Sequence, residues 1–153
     1  MDTVHCSDHK FFNVLFDEIK KSKNFNHKNI SLMGFSSGGY LISQLIESFP
    51  EIKFKTGIVL SAGYYNCPTD GTYSNTCDIP KNKLRKYPSM LFLHGANDRE
   101  GGGCCVDPKV SEEFYKELKT ADIKTERYVE PNEGHRWIIN ASPKILKWMR
   151  QNI

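Results

Sequence analysis

Three residues in this chain have the types and the order that nucleophilic catalysis needs: Ser36, Asp98 and His135. A serine hydroxyl attacks a carbonyl only when a base takes its proton. An imidazole serves as that base only when an acid holds its tautomer and stabilises the imidazolium. Ser36 lies at the centre of Gly34-Phe35-Ser36-Ser37-Gly38, between the apolar run that begins at Ile30 and the segment Tyr40–Ile46, whose apolar spacing is helical. A strand, a tight turn with serine at its apex and a helix form the context in which Gly-x-Ser-x-Gly works as a nucleophile elbow. Such a turn strains the serine backbone and pushes its hydroxyl clear of the sheet. Gly34 and Gly38 are expected to flank it because a side chain at either would collide with the neighbouring strand or helix. A glycine-rich turn with a capping serine is the plainer rival.

The elements around these residues form a series of strand-helix units. Asp8 to Lys21 carries Phe12, Leu15, Phe16 and Ile19 at helical spacing, with Ser7 or Asp8 as cap. The first strand reads as Asn29 to Phe35, and the helix after it runs to about Phe49, closed by Pro50. Thr56 to Ala62 is the second strand, followed by a long loop from Gly63 to Pro88 with a short helix near Lys81 to Lys86. Ser89 to His94 is the third strand, Pro108 to Ala121 a helix, Thr125 to Glu130 the fourth strand, and Pro143 to Gln151 the last helix. Apolar strands alternating with helices predict an α/β fold, with a parallel sheet of about four strands covered on both faces. Residues 1–153 read as one domain. Chemistry in such sheets gathers beyond the carboxyl ends of the strands, where Ser36, His94 to Asp98, and Gly134-His135 all fall.

On these three motifs the chain resembles the second half of an α/β-hydrolase. Gly34 to Gly39 matches the elbow; His94-Gly95-Ala96-Asn97-Asp98 matches the His-Gly-x-x-Asp that carries the acid after the family's seventh strand. Glu133-Gly134-His135-Arg136-Trp137 matches the turn that carries the base after its eighth. The order serine, acid, histidine is that family's order. The resemblance runs from about Asp8 to the end and implies that Ser37 supplies one backbone donor of an oxyanion hole. It also implies a truncation: four strands that precede the elbow strand in the family, and the loop bearing the second donor, have no counterpart here. The strand Ile30 to Phe35 is then an edge that needs covering, by a missing N-terminal half or by a second copy in a homodimer.

Rivals stand beside each assignment. Asp107 or Asp70 competes with Asp98 for the acid, and His135 has the reading of a surface turn residue. His94 reads as a structural residue bonding the loop that holds Asp98, and His27 as a solvated loop residue. His5-Cys6-Ser7-Asp8-His9 has metal-ligand content without the spacing for four ligands around one ion, so neither metal nor cofactor is expected. Phe35, Tyr64 and Tyr65, with Tyr73, are candidates to line a substrate pocket; loop packing is the alternative for the tyrosines.

Composition narrows the function classes. A net charge of +3 spread over helix faces and loops argues against nucleic acid, and no apolar run approaches the roughly 18 residues of a membrane span. Met1 to Asp8 lacks the basic start and apolar stretch of a secretory signal, which points to the cytoplasm as the chain is written; a truncated N-terminus leaves secretion open. The loop cysteines Cys67, Cys77, Cys104 and Cys105 suit an oxidising compartment, although five cysteines cannot all pair within one chain. The expected activity is that of a serine hydrolase, a carboxylesterase before a peptidase or thioesterase, acting on a small ester through an acyl-enzyme on Ser36. The competing expectation is a weak or inactive hydrolase-like domain that binds a partner, or a fragment of a longer hydrolase.

Overall fold

The computed structural model describes residues 3–64, 81–98, 107–138 and 140–153, with side chains from residue 10 onward. Tyr65, Asp70, Tyr73 and the four loop cysteines lie outside the described residues, as do the side chains of His5, Cys6 and His9. The elements are α1 (Thr3–Lys21), β1 (Ser31–Phe35), α2 (Ser37–Ser48), β2 (Thr56–Leu60), α3 (Lys81–Leu84), β3 (Ser89–Gly95), α4 (Pro108–Thr120), β4 (Thr125–Glu130) and α5 (Ala141–Asn152). The strands form one parallel sheet in the order β1-β2-β3-β4.

The two central strands are apolar along their length because both their faces are covered. Val59, Met90 and Phe92 pack with Phe16 of α1, Ile42, Leu45 and Ile46 of α2, and Phe114 and Leu118 of α4. Their neighbours in sequence, Ile58, Leu60, Leu91 and Leu93, point the other way and pack with Ile145 and Trp148 of α5. This is the alternation of a pleated strand buried on both sides. Trp148 is fixed in direction as well as buried: its Nε1–H donates to Thr56 Oγ1 at 2.6 Å, and that hydroxyl donates to Ser89 O at 2.7 Å.

β1 lies at the edge, as the resemblance to the second half of an α/β-hydrolase implied. Met33 pairs in register with Ile58 on the α5 face but is 55% exposed, because α5 covers β2 and β3 and not β1. Three local expectations are corrected. The first helix begins at Thr3, ahead of the Ser7 or Asp8 cap, and Leu15 is exposed while Phe12, Phe16 and Ile19 carry the contact with the core. β2 stops at Leu60, because Ser61 turns into the left-handed region at φ 48°. Gly38 is not sterically required: a Cβ there meets nothing within 4 Å.

The crowded positions are Gly34 and Gly39. A Cβ on Gly34 would stand 2.2 Å from Gly38 O, and one on Gly39 would stand 2.6 Å from the Ala62 Cβ. Backbone lies in the way at Gly34 and cannot yield without moving α2 off the sheet. Gly34→Ala is therefore expected to lose about 2–3 kcal/mol of stability or to fail to fold. Gly38→Ala, in the first turn of a helix, is expected to be neutral or to gain up to about 1 kcal/mol. Urea unfolding of the two variants checks this opposite response.

Candidate active site

The turn between β1 and α2 is one residue long, and that residue is Ser36. Its backbone is held at φ 54° and ψ −124°. Its N–H donates to Leu60 O of the neighbouring strand at 2.9 Å, and its own carbonyl accepts from Gly39 N–H at 2.8 Å. These bonds over-determine a conformation that serine rarely adopts. Ser37 opens α2 and is exposed, so its N–H belongs to the first helical turn, where backbone donors have no intrahelical acceptor.

The acid and the base arrive on two loops that are joined to one another. The loop after β3 donates Ala96 N–H to Glu130 O and Asn97 N–H to Glu133 O, both at 2.9 Å. Gly95 allows the close approach, since a Cβ on it would stand 2.3 Å from Glu133 O. The loop after β4 is tightened by Arg136 N–H to Gly134 O at 2.9 Å and anchored to α5 by the Lys144–Glu130 ion pair. These contacts set the distance between Asp98 and His135 through backbone rather than through flexible side chains.

The three predicted residues meet. His135 Nε2 lies 2.8 Å from Ser36 Oγ, and His135 Nδ1 lies 2.8 Å from Asp98 Oδ1. Asp98 is fully buried, whereas the His135 side chain is 27% exposed, so the carboxylate is shielded and the imidazole edge faces solvent. With Nδ1–H donated to the carboxylate, Nε2 is free of a proton and can accept one from the serine hydroxyl. Phe35 stacks beside the base, ring centroids 5.0 Å apart and 33° from parallel, which limits rotation of the imidazole.

Other candidates are sorted by the same geometry. Asp107 caps α4, its carboxylate accepting Lys109 N–H at 2.9 Å, and so serves the helix. Tyr64 is packed into the core. It is 2% exposed, its ring packs on Phe114, and its hydroxyl donates to Glu47 at 2.7 Å. The same Glu47 accepts from Tyr87 at 2.9 Å and Lys83 at 2.6 Å, tying α2 to the chain around α3. A cavity of about 570 Å³ opens at the amino ends of β1 and β2, lined by Phe16, Ile30, Ile52, Phe54 and several lysines; no residue of the Ser36 cluster borders it. Among the described residues no group of three or more His, Cys, Asp or Glu side chains could hold a metal ion. No helix among them is long and apolar enough to cross a membrane.

His94 does bond the loop of the acid, and through more than the sequence reading included. Its Nε2 is 3.0 Å from Asp98 Oδ2 and its Nδ1 is 3.0 Å from Ser111 Oγ. Arg127, whose pKa is lowered by burial against the opposing pull of Glu112, donates Nε–H to Ser111 Oγ at 3.3 Å and Nη2–H to Pro108 O at 3.0 Å. Ser111 and Arg127 went unnoticed in the sequence. The available signal was a serine on the same helical stripe as Phe114 and Leu118, buried to 1% exposure.

No family model matches the chain. A poly(3-hydroxyoctanoate) depolymerase of Pseudomonas fluorescens is 36% identical over 115 residues, which cover 75% of this chain and 37% of that protein. Among solved structures, the Bacillus cereus carboxylesterase matches with a TM-score of 0.67 at 20% identity, over 95% of this chain and 60% of that one. A putative dipeptidyl aminopeptidase IV from Bacteroides ovatus matches equally well, TM-score 0.67 at 18% identity, over 90% of this chain and 21% of that one. The chain thus spans less than two thirds of the length of each of these three relatives.

The strain at Ser36 has a measurable consequence. Ser36→Gly and Ser36→Ala both remove the hydroxyl, but only glycine adopts φ 54° at little cost. Ser36→Gly is expected to be the more stable of the two by about 1 kcal/mol, read by urea unfolding.

Proposed function

We propose that this chain, whose parallel sheet has the α/β-hydrolase fold of its structural matches over part of their length, is the C-terminal half of that fold and a serine ester hydrolase. One observation carries the reading: the unbroken line from Ser36 Oγ to His135 Nε2, 2.8 Å, and from His135 Nδ1 to Asp98 Oδ1, 2.8 Å. Ser36 Oγ attacks the ester carbonyl carbon and its proton passes to His135 Nε2. Asp98 remains ionised and holds the imidazolium through Nδ1–H. The carbonyl oxygen takes up the negative charge and accepts a hydrogen bond from Ser37 N–H, aided by the positive end of the α2 dipole. Collapse breaks the bond to the alcohol oxygen, which takes the proton from His135, and Ser36 is left acylated. Water then attacks the acyl carbon, losing its proton to His135, and the acid product leaves with Ser36 Oγ protonated again.

An ester is favoured over a peptide because poly(3-hydroxyoctanoate), the polymer named for the 36% identical relative, is joined by ester bonds. The peptidase among the structural matches keeps the amide alternative in view at the level of fold alone. A tetrahedral oxyanion is best held by two donors, and only Ser37 is identified here. We propose that the second comes from the part of the fold that packs against the open side of β1, supplied by further chain or by a partner copy. Exposed Met33 on that strand supports an interface there.

A fluorophosphonate probe is expected to label Ser36, detected by mass spectrometry, and labelling should vanish in Ser36→Ala. Hydrolysis of p-nitrophenyl acetate by the 153-residue chain is expected to be slow, since the described residues offer Ser37 as the one identified donor and lack of a second costs roughly a hundred- to a thousandfold in rate. Folded protein that is never labelled would refute the proposal in favour of a non-catalytic domain.

A further inference from the structure

A carboxylate has two oxygens, and the proposed chemistry uses one. Asp98 Oδ1 receives His135, while Oδ2 is buried and finds no well-aligned hydrogen bond among the described residues. What does stand beside Oδ2 is His94 Nε2, 3.0 Å away in an oblique approach, with both side chains fully buried. A carboxyl group anchored through one oxygen can still swing about its terminal torsion, which is soft. An oxygen left without compensation in a dry interior also costs free energy. A cationic or N–H edge at Oδ2 addresses both.

We propose that His94 is a positioning residue for this site: oriented by Ser111 and Arg127, it holds Asp98 Oδ2 and keeps the carboxylate aimed at His135. The inference rests on reading Ser36, His135 and Asp98 as the proton-transfer line. Its basis is a run of contacts crossing three elements of the fold. Arg127 comes from β4, Ser111 from the first turns of α4 and His94 from the carboxyl end of β3. The donor directions follow from counting protons. Ser111 has one hydroxyl proton and two acceptors in reach, Pro108 O at 2.9 Å and His94 Nδ1 at 3.0 Å. Arg127 already supplies Pro108 O through Nη2 and occupies Ser111 Oγ as an acceptor through Nε. With Pro108 O supplied by Arg127, the assignment that fits the proposal gives the serine proton to Nδ1 and leaves the ring proton on Nε2, the nitrogen that faces Asp98. Two histidines then hold one carboxylate, one at each oxygen. His94 is fully buried, and its described contact toward the site is with Asp98.

The test uses the full 153-residue chain and three variants: His94→Leu, which keeps bulk without a donor; His94→Gln, whose amide retains one; and Ser111→Ala, which removes the hydroxyl and little volume. Two readouts are taken on protein that is folded by near-UV circular dichroism. The first is p-nitrophenyl acetate turnover. His94→Leu is expected to lower kcat about tenfold to a hundredfold with KM nearly unchanged, as for a small misplacement of a catalytic group, and His94→Gln to recover part of it. The second is the proton NMR signal of His135 Nδ1–H in its bond to Asp98, assigned by its disappearance in His135→Gln. That signal is expected to be sharp and far downfield in the native chain, and broadened or lost in His94→Leu and Ser111→Ala. An unchanged signal in both variants overturns the inference, and so does equal loss in His94→Leu and His94→Gln. Because the NMR signal needs no turnover, a native chain without Ser36-dependent hydrolysis counts against the esterase reading alone. If His94→Leu does not fold, Ser111→Ala decides the question by the same signal.

Discussion

The chain has a single residue in which to leave β1 and enter α2, and that constraint governs much of what surrounds the site. Phe35 ends the strand, Ser37 begins the helix, and Ser36 between them takes up the reversal at φ 54°. For the helix to fold back at once over the strand, Gly34 must present no side chain toward Gly38 O, 2.2 Å from where a Cβ would stand. Gly39 must likewise leave room for Ala62, just past the end of β2. Strain of this kind costs about 1–3 kcal/mol. Burial of a single α2 side chain such as Ile42, 2% exposed, contributes about 1.5–3 kcal/mol and is of the same size. The elbow is thus sustained by the apolar face of the helix that follows it.

The carboxyl ends of β3 and β4 solve a different problem, which is holding a buried anion beside a half-exposed base. Asn97 N–H to Glu133 O joins the acid loop to the base loop by backbone, and Gly95 lets the two chains come close enough to do so. Around Asp98 the polar groups are enclosed yet connected: His94, Ser111 and Arg127 pass contacts from α4 and β4 to the carboxylate. Buried polar groups that compensate one another specify one arrangement, whereas the apolar core nearby tolerates exchange of similar shapes.

Much of this was legible in the sequence because two periodicities carry it. Apolar strands alternating with helices predicted a parallel sheet covered on both faces, and the position of Ser36, Asp98 and His135 just past strand ends identified one rim. What could not be read depended on side-chain direction. Gly34 and Gly38 look equivalent in the motif, yet only the former faces backbone, because one precedes the reversal and the other follows it. Tyr64 also follows a strand end, after β2 closes at Leu60, but the chain there turns toward α2 and α4 and aims the ring at Phe114 and the hydroxyl at Glu47. Ser111 is invisible for the opposite reason: a serine one turn into a helix is ordinary until its phase with Phe114 and Leu118 is counted.

The two halves of the site therefore differ in how far they depend on the rest of the fold. Asp98 and His135 are carried by β3 and β4, with α4 on one side and α5 on the other, and the two loops that bear them are bonded to one another. Ser36 is carried by β1, the edge of the sheet, where Met33 is exposed and backbone on the outer side has no strand beside it among the described residues. An edge strand is held on one side alone and is open to pairing with whatever chain meets it. A displacement of β1 moves the nucleophile while leaving the acid and base in place, and even about 1 Å is enough to weaken catalysis strongly. Covering the edge would thus act on the serine before anything else: it would fix Ser36 against a base that the remainder of the sheet already holds.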